Sequence, residues 1–377
     1  MTTPAELDPP EFTLTDAERE HLSLLRQPNS HFLAMIGERE QADGATLHPK
    51  AQWFLQTIAR PADTPESLDE EEALMDTAEG RAAIRAFVDR AWALKTRIGD
   101  PLASVEDRRI PSRGGELPVR IYTPVRAGVD ALPLLVYCHG GGWLFGSIAA
   151  VDRALRILAH EAQVIVVSVD YRLAPEHPYP AAHDDAEDAF LWAVANAAEL
   201  GADPARVAVG GDSAGGHLAV AVSRRQLAAG RPPPLFQLLY YPMVDWNRDT
   251  ASFRRFGAGY GLDARFIGVM ERLVFPDPAS RQGPEFSHLL AASLQGLPAT
   301  LVVTAGWDIL RDQGAAFASR LESEGVAVTY LNAASLGHGF MQRSGVYDDA
   351  DRICVASAQV FGIALRSRRL QQLLSAS

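Results

Sequence analysis

The spacing of apolar residues changes character near residue 100. Before that point apolar positions recur at helical intervals. Trp53, Phe54, Leu55 and Ile58 do so between Leu47 and Arg60, and Ile84, Phe87, Val88, Ala91, Trp92 and Leu94 form a broad apolar face between Arg81 and Ile98. The acidic stretch between them, Glu66 to Asp76, reads as a solvated helix face or a linker. The first hundred residues therefore read as helical, with no β signal, and the opening ten, three of them proline, are expected to be mobile. From about Ser104 short β-rich runs alternate with helical patterns, which predicts a sheet flanked by helices. Val105–Ile110 and Val119–Tyr122 read as strands joined at Gly114-Gly115. Further runs follow at Leu132–Tyr137, Val164–Val169, Arg206–Val209, Leu235–Tyr241, Thr300–Thr304 and Val326–Leu331. Several are apolar throughout, as parallel strands covered on both faces should be. Helices fit at Ala150–Ala162, Ala181–Leu200, Ala214–Ala229, Asp312–Glu324 and Asp349–Leu370. One connection is much longer: about sixty residues separate Tyr241 from Leu301, with a helical run near Ala264–Val274. An insertion of that kind after a strand is expected to help build a site.

Composition narrows the class. The chain has 377 residues, 47% of them hydrophobic and 22% charged, as an ordinary globular protein with a large core would. A net charge of −12 argues against nucleic acid or an anionic membrane surface as partner. Two cysteines, Cys138 and Cys354, imply no disulfide framework and suit a reducing compartment. The N-terminus has neither a basic nor an apolar leader segment, and no apolar run approaches the roughly 18–20 residues that span a bilayer. A cytoplasmic protein is the expectation.

The chemistry gathers around Gly211-Asp-Ser-Ala-Gly-Gly216, which lies between the strand run Arg206–Val209 and a helical pattern. A serine between glycines at a strand-to-helix turn is the pattern of a nucleophile elbow, with the glycines clearing a tight crossing. On its own the pattern is modest, because ordinary turns use the same residues. A serine hydroxyl also needs a base and donors for an oxyanion. His139-Gly-Gly-Gly-Trp143, directly after the run ending near Cys138, supplies candidate donors, since three glycines let backbone N–H groups turn toward one point. A phosphate-binding turn is the competing reading, but neither phosphate-loop pattern is present.

Of ten histidines, His338 is the one in a loop after the last strand run, where a Ser, Asp, His order would put the base. His139 is expected to hold its own loop in shape, and His217 to point away from the hydroxyl. His177, His183 and His288 read as capping or surface residues. Asp308, at the end of the run Leu301–Thr304, is the candidate acid; its neighbour Asp312 reads better as a helix N-cap.

Taken together these segments resemble the bacterial hormone-sensitive-lipase-type esterases of the α/β-hydrolase superfamily. The matching stretches are His139–Trp143, Asp170–Pro180, Gly211–Gly216, Asp308–Asp312 and His338–Phe340, within roughly residues 104–345. The resemblance implies an α/β-hydrolase fold with a mostly parallel sheet of about eight strands, Ser213, Asp308 and His338 as triad, and the N–H groups of Gly141, Gly142 and Ala214 as oxyanion hole. It implies a helical cap built from about 45–100 and 243–290, so that residues 1–100 are extension and cap and 101–377 the catalytic domain. Arg172 and Glu176 would brace the oxyanion loop, and a homodimer through the last strand and its neighbouring helix is also implied. Candidate pocket liners are Trp53, Phe54, Trp143, Tyr241 and Trp246. Two departures stand out: Ile309 replaces a common proline, and Trp307 is large for its place beside the acid. The first 45 residues extend beyond the usual family start.

The implied reaction is two-step hydrolysis of small to medium acyl esters, needing no metal or cofactor. Leaving-group preference lies in pocket shape, so an amidase, lactonase or deacetylase would show the same motifs. Non-catalytic receptors on this fold lose the histidine, whereas His338 is present here.

Overall fold

The computed structural model describes residues 13–60, 65–125 and 131–367; the opening ten residues, expected to be mobile, lie outside the described range. The N-terminal part begins with α1 (Asp16–Leu25), opened by a reciprocal Thr15–Glu18 cap, and α2 (Asn29–Leu33). Next comes a two-stranded ribbon, β1 (Gln41–Ala42) and β2 (Ala45–Thr46). The ribbon corrects the purely helical reading of the first hundred residues. Asp43 and Gly44 both take positive φ at its tip, which is the turn an Asp-Gly pair favours. Helix α3 (Pro49–Phe54) runs into a π-helical turn at Leu55–Ala59. Helices α4 (Pro65–Asp76) and α5 (Ala78–Lys95) follow, so the acidic stretch is helical.

The first 45 residues are packed where they are described. Arg90 of α5 pairs with Glu18 of α1, and Phe32 of α2 is buried edge-on against Trp53, ring centroids 5.4 Å apart.

All eight strand runs form one sheet: β3 (Leu102–Ser112), β4 (Gly115–Pro124), β5 (Leu132–Cys138), β6 (Ile165–Val169), β7 (Ala202–Asp212), β8 (Phe236–Tyr240), β9 (Ala299–Trp307) and β10 (Val328–Gly337). Their order is β10-β9-β8-β7-β5-β6-β4-β3; β4 pairs antiparallel with both β3 and β6, and the other pairs are parallel. Strands β6, β8 and β9 are buried along their whole length, as their apolar runs require, because helices cover both faces. Those helices are α6 (Ile148–Ala162), α7 (Ala181–Asn196), α8 (Ala214–Ala228), α11 (Arg311–Ser323) and α12 (Asp348–Arg366), while α9 (Ala251–Phe256) and α10 (Ala264–Val274) lie in the long connection. Register brings the C-terminal ends of the central strands level: Cys138 lies beside Gly211, Asp212 beside Tyr240, and Tyr240 beside Val303. Loops leaving these ends converge on one place, where the functional residues gather. None of the described helices is long and apolar enough to cross a membrane.

Candidate functional site

Ser213 occupies the turn between β7 and α8 with φ 55° and ψ −119°, a region that costs a non-glycine residue about 1–3 kcal/mol. The surroundings hold it there. Its N–H donates to Tyr240 O at 2.9 Å, and its own carbonyl accepts from the N–H groups of His217 and Met243. The crossing of α8 over the sheet is so close that a Cβ on Gly215 would stand 1.9 Å from Cys138 O. The Ser213 hydroxyl lies 3.0 Å from His338 Nε2, and His338 Nδ1 lies 2.8 Å from Asp308 Oδ2. The Asp308 carboxylate is buried, and its other oxygen accepts from Leu310 N–H. The structure thus joins Ser213, His338 and Asp308 in one hydrogen-bonded chain. Asp312 stays outside it. Rather than capping its own helix, it accepts the Ser252 N–H in the first turn of α9.

The glycine loop after β5 faces this turn. Gly141 and Gly142 take φ of +113° and +60°, and Gly141 O accepts from both Leu144 and Phe145 N–H, which curls the loop tightly. The N–H groups of Gly141, Gly142 and Ala214 donate to no acceptor among the described residues. Asp212, just before the serine, is the residue whose importance the motif alone did not reveal. Its buried carboxylate accepts from Gly140 N–H (3.0 Å), the Tyr137 hydroxyl (2.8 Å) and Gln342 Nε2 (3.0 Å), and so ties the serine turn to the glycine loop. Burial, and then the Asp212 charge, pushes the Tyr137 and Tyr241 hydroxyls well above the usual phenol range, which keeps them donors.

Glu176 reaches the glycine loop indirectly. It pairs with Arg81 and Arg85 of α5, and Arg85 Nε donates to Leu144 O. Arg172 corrects the expectation: it pairs with Asp185 of α7. His139 holds its own loop, with Nδ1 2.7 Å from Gly140 O and its ring stacked on Tyr171.

A narrow cleft with a cavity of about 20 Å³ opens beside His338, lined among others by Phe54, Leu55, Tyr260, Trp307, Phe340 and Arg343. Phe54 is in its wall as expected; the other four candidate liners are interior. Trp53 faces Phe32, because the helical turn that points Phe54 to the cleft points its neighbour inward. Tyr241 packs edge-on against the His338 ring, centroids 4.9 Å apart, and braces it. Trp143 and Trp246 stack on each other in a buried aromatic nest with Phe275. Two further groups, His48 with Asp348 and Asp349, and Asp100 with His160 and Glu161, have metal-ligand chemistry, but neither includes a member of the Ser213 chain.

The family model described as alpha/beta hydrolase fold matches residues 135–342, more than half of the chain. The chain belongs to the α/β hydrolases. Within the family it is 40% identical over 307 residues to the carboxylic ester hydrolase LipN of Mycobacterium tuberculosis, covering 79% of this chain and 78% of that one. It is 37% identical to an ethyl acetate hydrolase of Pseudomonas putida, covering 81% and 95%. Among solved structures, an ester-hydrolase from the metagenome of Lake Arreo superposes with a TM-score of 0.78 at 35% identity, covering 85% of this chain and all of that one.

Three histidines of this α/β hydrolase depart from expectation or sharpen it. His183 and His288 are fully buried, not surface or capping residues. Both pack against His217, whose ring nitrogens face Met243 O and Glu285 O, away from Ser213. Burial drives all three well below the usual imidazole range, His217 to about 4. Sequence could not announce this, since nothing local marks a histidine that its neighbours will enclose.

Proposed function

We propose that this protein hydrolyses carboxylic esters by a two-step acyl-enzyme route with Ser213 as nucleophile. The observation that carries the reading is the hydrogen-bonded chain Ser213–His338–Asp308 beside three N–H groups with no acceptor among the described residues. His338 Nε2 takes the hydroxyl proton as Ser213 Oγ attacks the ester carbonyl, and the carbonyl oxygen gains charge toward the Gly141, Gly142 and Ala214 N–H groups. Asp308, accepting from Nδ1–H, fixes the tautomer and stabilises the imidazolium. His338 then protonates the leaving alcohol, and a water activated by the same base releases the acid. Esters named for its relatives support this substrate class. Ser213→Ala should lower turnover of a p-nitrophenyl acyl ester by about a thousandfold or more with the fold intact by circular dichroism. Hydrolysis near the wild-type rate would remove Ser213 from the mechanism.

Helices α3 to α5 and the segment 243–290 form the cap in this reading. Phe54 and Leu55 from the first part and Tyr260 from the second line the cleft, and the Phe266 and Met270 side chains crowd Gly142. The Phe266 and Met270 side chains packed over the glycine loop limit the space beside it, which suits small to medium acyl esters. Rates across acetyl to dodecanoyl esters should peak at the short end, and a maximum at dodecanoyl would overturn that range. Strand β10 forms one edge of the sheet, and Tyr330 on it and Ile363 on α12 are exposed. This favours a homodimer there; a mass of one 40.8 kDa chain by light scattering would rule it out. Two buried free thiols, Cys138 and Cys354, suit a cytoplasmic location, which cell fractionation tests directly.

A further inference from the structure

The cleft beside His338 contains groups without their chemical complement. Arg343 ends the 3₁₀ turn Phe340–Arg343, five residues after the base, and is the one permanently charged side chain among the described lining residues. Its guanidinium forms no ion pair with a described carboxylate and donates to no described acceptor. Its guanidinium lies over the rings of Phe54 and Tyr347, 5.8 and 6.0 Å from their centroids. Lys95 shares the Phe54 ring, with Nζ 5.5 Å from the centroid. Burial, and then the Arg343 charge, pushes the ammonium down to about 8, so it is still charged at neutral pH. The acids that follow Arg343 in sequence are engaged elsewhere. Asp348 holds His48 and Asn29, Asp349 holds Ser335 and Arg352, and Asp351 holds Arg97. Trp307, another wall of the cleft, has a buried indole N–H with no acceptor among the described residues.

Aromatic faces favour cations, and Lys95 gains from ending α5, where the helix dipole is negative. Those contacts explain one cation against the ring. They do not explain two that repel each other with no ion pair to a described acid. An anion in the cleft beside Arg343 would answer that charge. The planar guanidinium fork matches a carboxylate with two parallel hydrogen bonds. Its position fixes which half of the ester carries the charge. His338 Nε2 protonates the leaving oxygen, so a group seated in the cleft that His338 lines belongs to the alcohol.

We propose that this site selects esters whose alcohol portion bears a carboxylate, held by Arg343, with the Lys95 charge across the Phe54 ring adding to the local positive field. The inference rests on the ester-hydrolase reading above. Its test compares 4-carboxyphenyl acetate with the neutral 4-(methoxycarbonyl)phenyl acetate, each kcat/KM divided by the uncatalysed hydrolysis rate. A phenyl ester with its carboxylate at the end of the acyl chain is the third substrate. The wild-type enzyme should favour the carboxylate-bearing alcohol by about tenfold or more, mainly through KM, and high salt should shrink the preference. Arg343→Met should abolish the preference and Arg343→Lys should keep part of it. If Arg343→Met does not fold, Lys95→Met and the salt dependence of the wild-type ratio carry the same test.

Equal corrected rates for the paired esters, a preference that survives in Arg343→Met, or a stronger preference for the acyl-side carboxylate would each overturn the proposal alone. Failure to cleave any of the three would overturn the ester-hydrolase reading and this proposal with it.

Discussion

Asp212 bears no proton in the proposed reaction, yet its removal should be among the more damaging single changes. The Gly140 N–H, the Tyr137 hydroxyl and Gln342 Nε2 all donate to it in the interior. In Asp212→Ala these donors lose their acceptor, and a buried donor left alone costs about 1–3 kcal/mol. The expected outcome is a loss of about 3 kcal/mol or more in urea unfolding, with kcat falling because the glycine loop is no longer tied to the serine turn. A variant with wild-type stability and kcat would show that the loop keeps its shape without this carboxylate. The residues brought together at Ser213 were legible because each sits in a short motif at a strand end: His139–Trp143, Gly211–Gly216, Asp308 and His338. The work of Asp212 was not, since its partners are 72 to 130 residues away for Gly140 and Gln342. The same limit applies to Trp53 and Phe54. Adjacent residues in one helical turn face different ways, and only packing decides which of them meets the cleft.

At the scale of elements, the crossing of α8 over the sheet leaves no room for a methyl group. Gly215→Ala would place Cβ against Cys138 O, a backbone atom that cannot swing aside. Either α8 or β5 must move, and such overpacking typically costs about 1–3 kcal/mol. Because both Ser213 and the glycine loop ride on those two elements, turnover should fall more than stability does. An alanine variant with wild-type kcat would mean the crossing has slack. The strands and the longer helices were readable, for their apolar periodicity is strong and their ends fall at glycines or polar turns. Helices α1 and α2 fell within a stretch read as helical without being placed, and the short α9 and the β1–β2 ribbon were not readable, being too short to establish a period. Asp43-Gly44 was the overlooked local sign, an ordinary hairpin turn inside a stretch read as helical.

Across the whole molecule, the three buried histidines set an acid limit. His183, His217 and His288 stay neutral in the folded chain below the pH at which they would normally protonate. In the unfolded chain each takes up a proton near pH 6.5, so below that pH the unfolded state binds more protons and is favoured. Stability is therefore fully present above about pH 6.5 and falls as pH drops toward about 4, the value for His217. The slope approaches about 1.4 kcal/mol per pH unit for each histidine once its unfolded form is protonated. Urea midpoints that stay constant from pH 7 to 5 would contradict this. The walls of the cleft come from distant parts of the chain. Residues 47–55 meet residues 337–347, and the seam is stitched by Lys50 to Val346 O, His48 to Asp348 and Asn29 to Asp348, partners some 300 residues apart. Synthesis from the N-terminus therefore leaves the early half of the cleft waiting for residues made some 300 positions later. A nascent chain that has not yet exposed residues 337–347 has no closed substrate chamber, and esterase activity should appear only once they emerge.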